Sequence, residues 1–237
     1  MSRRGPVLAP AAVARLDRLA WERYRIPTLL LMERAGQAVA GEVLGILGRR
    51  RSQRVVCVCG KGNNGGDGFV AARYLKQAGV PVEVYFTGTA RDLKGDAQLN
   101  YRILVRLGIV LRPLRGAKDR ERLRRSLRAA EVVVDALLGI GAQGAAREPL
   151  ARVIRLLNAS GAWIVAADVP SGLDAATGAC AGEVVQACRT VTFTALKTGL
   201  VSAAGRRKAG RIRVADIGIP FSEIRNQKAE GRRQKKP

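Results

Sequence analysis

Three stretches of this 237-residue chain set amide, carboxylate and hydroxyl groups among glycines: GKGNNGGDG at 60–68, DALLGIG at 135–141 and DVPSGLD at 168–174. Each follows an apolar, β-rich run, so each reads as the loop leaving a strand. In a mostly parallel sheet such loops emerge on one side, which would gather Asn63, Asn64, Asp67, Asp135, Asp168 and Ser171 around one site. Oxygens of these kinds can bind amides and hydroxyls, ligate a hard cation, or move protons. There is no histidine, so Ser-His-Asp and Cys-His catalysis and His-ligated zinc are excluded. Proton transfer must then use Asp, Glu, Lys, Tyr, Cys or water. The four cysteines, Cys57, Cys59, Cys180 and Cys188, match no zinc or redox spacing. Cys57 and Cys59 alternate on one strand and read as small, reduced core residues.

The elements that must position these groups follow from periodicity. Val55–Cys59 into a glycine turn and then Phe69, Ala72 and Leu75 is strand, turn, helix, the opening of a nucleotide-binding βα unit. Backbone N–H groups at the start of that helix lack intrahelical acceptors, and glycines let a ligand approach them. Upstream, residues 10–24 predict an amphipathic helix that stops near Pro27. A second helix, with Thr28 as N-cap, carries Leu31, Ala35, Val39, Val43 and Leu47 on one face, and Gly36 and Gly41 inside it predict close packing. Downstream, strands are expected at 82–86, 109–111, 131–135, 163–167, 190–193 and 211–214, with helices at 95–107, 119–129 and 149–159. Alternating strands and helices predict an α/β fold, a three-layer αβα Rossmann-like sandwich with a mostly parallel sheet. Residues 1–220 read as one domain and 221–237 as a basic, disordered tail.

The chain has 42 Lys and Arg against 19 Asp and Glu, a net charge of +23. No aromatic-flanked basic patch or RNA-binding signature accompanies that charge, so it is read as a property of the surface rather than of a nucleic-acid partner. No apolar run is long enough for a membrane span and no signal peptide is evident, so the expected location is cytoplasmic. Residues 60–65 fit G-x-G-x-x-G, and Glu83 lies near where a ribose-binding acid belongs, which makes an NAD-dependent dehydrogenase a competitor. Against it, Asp67 puts a negative charge in the first helical turn, where a pyrophosphate would sit.

Taken together, LDRLAWERYRIPTLLLMERAG, GKGNNGGDGFVAARYL, VVVDALLGIG, VAADVPSGLDAATG, TVTFTALKTGL and GRIRVADIGIP resemble the NAD(P)H-hydrate epimerase family, the YjeF N-terminal domain, from about Ala11 to Pro220. The resemblance implies interconversion of the R and S epimers of hydrated NADH or NADPH, supplying the S form to a dehydratase. That partner is fused behind the domain in many bacteria, whereas only the tail follows here, so it is expected as a separate protein or as a missing part. Homodimers are common in the family. Substrate contacts are implied at Asn63, Asn64, Gly65, Gly66 and Asp67, at Gly139, Ile140, Gly141, Ala142, Gln143, Gly144 and Ala145, and at Asp168. Ligands for one K+ per subunit are implied at Asn64, Asp135 and Ser171; the alternative is that Asn64 and Ser171 merely cap helices or turns. Asp168 is expected to act as base and Lys197 as a positive charge or acid, the alternative for Lys197 being a surface salt bridge. A non-catalytic, RNA-associated scaffold of the same family is the second reading. Ile140 replaces a common Thr, Arg25 a usual Gly before Ile-Pro, and Ala195 a usual Gly.

Overall fold

The computed structural model describes residues 6–50, 52–142, 144–220 and 222–225. In chain order the elements are β1 (Val7–Leu8), α1 (Pro10–Tyr24), α2 (Thr28–Leu47), β2 (Val55–Cys59), α3 (Asn63–Gln77), β3 (Val82–Phe86), α4 (Gly95–Arg106), β4 (Val110–Pro113), α5 (Ala117–Arg128), β5 (Val132–Ala136), α6 (Leu150–Asn158), β6 (Trp163–Ala167), β7 (Arg189–Phe193), β8 (Leu196–Lys197), α7 (Ala203–Ala209) and β9 (Arg211–Ala215). Seven strands form one parallel sheet in the order β4-β3-β2-β5-β6-β7-β9. The chain winds outward from β2 to β4, then returns to β5 and winds the other way. The crevice between β2 and β5 is therefore the switch point at which such sheets bind ligands.

The period-two pattern sorts each strand between two cores. Val55, Cys57 and Cys59 of β2 pack with α2, α3 and α4 on one face, while Val56 and Val58 pack with α5 and α6 on the other. Both cysteines are fully buried free thiols, as expected of core residues. Burial pushes the Cys57 thiol up to about 12. Helix α1 starts with Pro10 in its first turn and stops before Ile26-Pro27. Arg25 caps its C-terminus at φ 55, the left-handed conformation that explains why glycine is usual there.

Differences from expectation are local. Thr28 is the first helical residue rather than the cap, and its hydroxyl donates to Asp96. The two-residue strands β1 and β8, which pair in parallel, are too short to show a period. Residues 222–225 form a helical turn with Glu223 and Ile224 buried; Glu223 accepts from Arg23 and Tyr24, so packing runs past Pro220. The remainder of the expected tail lies outside the described residues. No helix among the described residues is long and apolar enough to cross a membrane.

Of the two α2 glycines expected to mark close packing, Gly36 and Gly41, only Gly36 is a contact point. A Cβ there would lie 2.4 Å from Val70 Cβ and 2.7 Å from the Asp67 carbonyl oxygen, whereas a Cβ at Gly41 meets nothing within 4 Å. Gly36→Ala should therefore lower stability by about 1–3 kcal/mol through overpacking. Gly41→Ala should raise it by up to ~1 kcal/mol through helix propensity. Denaturation midpoints of the two variants test the contrast.

Candidate functional site

Above the switch point, a cavity of about 900 Å³ runs between the strand ends and helices α1 and α2. That is the upper end of the roughly 300–1,000 Å³ found for small-molecule sites. Its wall includes Asn63, Asn64 and Asp67 from the start of α3, residues 139–142 after β5, Asp168 after β6, and Thr194 and Lys197 after β7. Lys61 and Arg120 line it too and carry positive charge. The three glycine-bearing loops therefore do meet.

Chain geometry explains how. Gly60 and Gly65 permit the tight turn into α3: a Cβ on Gly60 would lie 1.9 Å from the Leu137 carbonyl oxygen, and one on Gly65 1.9 Å from the Gly60 carbonyl oxygen. The turn presents the first N–H groups of α3, which have no intrahelical acceptor, to the cavity. Behind the wall, Asp135 is fully buried at the end of β5. Its Oδ1 accepts from Ser171 Oγ at 2.6 Å and Leu137 N at 3.3 Å, and its Oδ2 accepts from Ser171 N at 2.8 Å. Ser171 Oγ also accepts from Leu138 N at 2.9 Å, and Asn64 Nδ2 donates to Leu138 O at 2.9 Å. Asn64, Asp135 and Ser171 thus form one connected cluster. Burial raises the Asp135 carboxyl to about 6, against the lowering effect of the Ser171 and Leu137 donors.

The second cluster surrounds Lys197, which is fully buried, not the surface salt bridge that was the alternative reading. Its Nζ donates to Asp168 Oδ1, to Thr192 Oγ1 at 2.9 Å and to Phe193 O at 2.8 Å. An ammonium has three protons, and all three are used. Asp168 reaches Lys197 from a left-handed conformation, φ 64, a strained position for a residue with a side chain. Its Oδ1 also accepts from Thr192 Oγ1 and Phe193 N, which leaves Oδ2 without a hydrogen bond among the described residues. Asp67 is 9% exposed, and its carboxyl has no hydrogen bond among the described residues. Burial, with Asp168 and Asp17 nearby, holds it well above the usual carboxylate range, despite the lowering effect of Lys197.

Several residues implied by family likeness lie off the cavity wall. Gly65 and Gly66 do not line the cavity: Gly66 packs on Met32 as Gly65 packs on Gly60. Gly144 and Ala145 also lie off the wall, and Ala145 packs against Gly182. Gln143 lies outside the described residues. Glu83, the candidate ribose acid, is not in the wall either; it pairs with Arg54 and Arg112 and accepts from Ser126. That removes one of the two features on which the dehydrogenase reading rested, the other being the G-x-G-x-x-G match at 60–65. Conversely, sequence reasoning missed Asp17 and Thr194. Asp17 follows Val13 by four residues and precedes Ala20 by three, so a carboxylate on the apolar stripe of α1 was the available signal. Nothing in the sequence singles out Thr194, whose left-handed backbone (φ 66) is a product of the fold.

Four buried side-chain polar atoms lack a partner among the described residues: Asp17 Oδ1, Asn64 Oδ1, Thr194 Oγ1 and Arg73 Nε. The first three belong to residues lining this cavity. Buried polar groups are ordinarily satisfied, so this concentration marks a place built for a ligand. The family model of the YjeF-related protein N-terminus matches residues 28–199. A bifunctional NAD(P)H-hydrate repair enzyme from Moorella thermoacetica is 42% identical over 222 residues, 93% of this chain and 42% of that protein. An NAD(P)H-hydrate epimerase from Pirellula staleyi is 41% identical over 205 residues, 86% of this chain and 89% of that one. The crystal structure of the yeast protein YNL200c superposes with a TM-score of 0.73 at 26% identity, over 81% of this chain and 82% of that chain. The chain spans about two fifths of the length of the bifunctional relatives it matches (42% and 38%).

Removing one partner of a buried pair leaves the other charge uncompensated. Lys197→Met should therefore cost about 3–5 kcal/mol in urea denaturation at neutral pH. The double variant with Asp168→Asn should recover a measurable part, a coupling that a surface pair would not show.

Proposed function

The chain belongs to the family of YjeF-related N-terminal domains, and on that premise we propose that it is an isomerase, an NAD(P)H-hydrate epimerase. It would interconvert the R and S forms of hydrated NADH and NADPH and supply a dehydratase that consumes the S form. The observation that carries the reading is the conjunction in one cavity of the α3 N-terminus, where burial disfavours the Asp67 charge that would oppose a phosphate, with buried carboxylates and a buried ammonium. Lys61 and Arg120 on the wall add attraction for the phosphates.

Epimerisation needs a proton for the departing hydroxyl and a base for the returning water, with no redox step. Asp168 is the base: its Oδ2 is the carboxylate oxygen left open, and Lys197 holds Oδ1 in place. Lys197 has no proton to spare, because each is donated inside the protein, so its role is that of a fixed positive charge. Asp67, held largely neutral by burial, can donate a hydrogen bond to a polar group of the substrate.

Potassium is part of the proposal. The orphaned Asn64 Oδ1, the buried Asp135 carboxylate and the Ser171 hydroxyl fit a hard cation that prefers oxygen donors. Bound there, it would supply the positive charge that Asp135 lacks, held by Asn64, Asp135 and Ser171. Free thiols suit a reducing compartment, hence a cytoplasmic setting, and exposed Trp21, Tyr24 and Leu30 on α1 and α2 suit a homodimer.

Separated R and S hydrates incubated with the protein and potassium should converge to one ratio, followed by chromatography. A drift no faster than in buffer would sink the assignment. Potassium should also raise the melting temperature, and do so more at pH 7.5 than at pH 5. Because its folded carboxyl is raised to about 6, Asp135 contributes stability that is complete below the unfolded pKa and lost as pH rises through about 6. A cation bound to the ionised form offsets that loss. Asp135→Asn should abolish the potassium dependence, with choline as the ionic-strength control.

A further inference from the structure

Epimerisation leaves one role unfilled in this site, because Asp168 is the base and Lys197 has given away all its protons. Helix α1 brings one more titratable group to the cavity. Asp17 lines the wall beside Val13 and Ala14, in the cavity it shares with Asp67, Asp168 and Lys197. Its Oδ1 is shielded from solvent and has no hydrogen-bond partner among the described residues. Strand β1 sets the approach of α1: Val7 pairs with Leu196 and Leu8 with Lys197, so the helix leaves from the strand that pairs with the one carrying the lysine. The buried carboxylate of Asp67 enters the same space from α3, likewise without a hydrogen bond among the described residues.

We propose that Asp17 is a catalytic residue, the acid that protonates the departing hydroxyl, working against Asp168 as base. The inference rests on the epimerase reading above. In the forward step the Asp17 carboxyl proton passes to the hydroxyl, the carbon–oxygen bond breaks with both electrons leaving on oxygen as water, and the positive charge stays on the ring. Water then adds to the other face; its oxygen forms the new bond and its proton passes to Asp168 Oδ2. Nothing is oxidised or reduced. In the opposite direction the two carboxyls exchange roles, and exchange with water in the open cavity resets them.

The electrostatics agree. Desolvation raises the Asp17 carboxyl to about 6; Lys197 and Arg18 pull it down and Asp168 pushes it up. The charged groups facing it are thus Lys197 on β8, Asp168 after β6, Asp67 on α3 and Arg18 on its own helix. A group near 6 can be both donor and acceptor around neutrality, which a general acid must be. Burial also raises the Asp67 carboxyl well above the usual carboxylate range.

The test is kcat and KM for the hydrates across pH 5–9 in wild type, Asp17→Asn and Asp17→Glu. Wild-type kcat should fall as pH rises through the Asp17 titration. Asp17→Asn should lose at least ~100-fold in kcat with KM within about threefold, and should lose that limb of the profile. Asp17→Glu should restore part of kcat with the limb displaced. Asp17→Asn should also melt higher than wild type above pH 7, since it removes a buried carboxyl whose ionisation opposes folding, which separates lost chemistry from lost structure. An Asp17→Asn enzyme within threefold of wild type, or one that keeps the limb, overturns the proposal while leaving the epimerase reading intact. Should Asp17→Asn fail to fold, an unmoved limb in Asp17→Glu overturns it as well. A wild-type protein that does not equilibrate the hydrates overturns the reading on which the proposal stands.

Discussion

A lysine with no access to water exists in this fold only because its charge and all three protons are accounted for, and much of the site is arranged to meet that demand. Thr192 and Phe193 come from β7, the backbone turns back through Thr194 and Ala195, and Asp168 leaves the neighbouring strand in a left-handed conformation to meet the ammonium. Burying a charge is expensive and a pair recovers the cost only with such full hydrogen bonding. The result is a fixed positive point beside a carboxylate with one oxygen open. That charge also bears on two further carboxyls, Asp17 and Asp67, lowering both while their burial raises them. The same demand explains β1, which would otherwise be an isolated pair of residues: it closes the strand that holds the lysine.

The Asp135 cluster obeys the opposite logic. Here a buried carboxylate receives donors from Ser171 and Leu137 but meets no cation among the described residues, and the amide oxygen of Asn64 is left without a donor. Donor hydrogen bonds lower the cost of the charge without removing it. The two clusters sit on adjacent strands, one with its charges paired within the protein and one with a carboxylate that meets no cation among the described residues.

Sequence reading recovered what repeats along the chain and lost what depends on one side chain meeting another. Strand and helix positions, the parallel sheet and the meeting of the three glycine loops followed from periodicity and strand-end position, because those patterns are enforced at every residue. Gly65 and Gly66 belong to the glycine loop of the site, and their close approach to Gly60 and Met32 rests on distances of a few ångströms that no pattern carries. Lys197 could be placed at the site but not assigned its burial, since β8 is two residues long and carries no pattern. Asp17 stands in the sequence as an acid on an apolar stripe, but a lone charge on an amphipathic helix usually faces water, so the pattern does not single it out. Glu83 shows the converse: it occupies a motif position, but it sits near the start of its strand, where Arg54 and Arg112 claim it.

The unpartnered atoms say why such a site is hard to read from pattern alone. Folding rewards satisfied polar groups, and local sequence rules describe that reward. A site for a small polar ligand has to violate them, keeping oxygens dry and unpaired until the ligand arrives. Asp17, Asn64 and Thr194 do this on three different elements, and two strained backbone positions, Asp168 and Thr194, lie among them. Each feature alone destabilises the fold, and each persists because the surrounding sheet and helices over-determine it. Function is therefore located where the chain departs from its own best packing, and the departure can be found only once the partners that fail to appear are known.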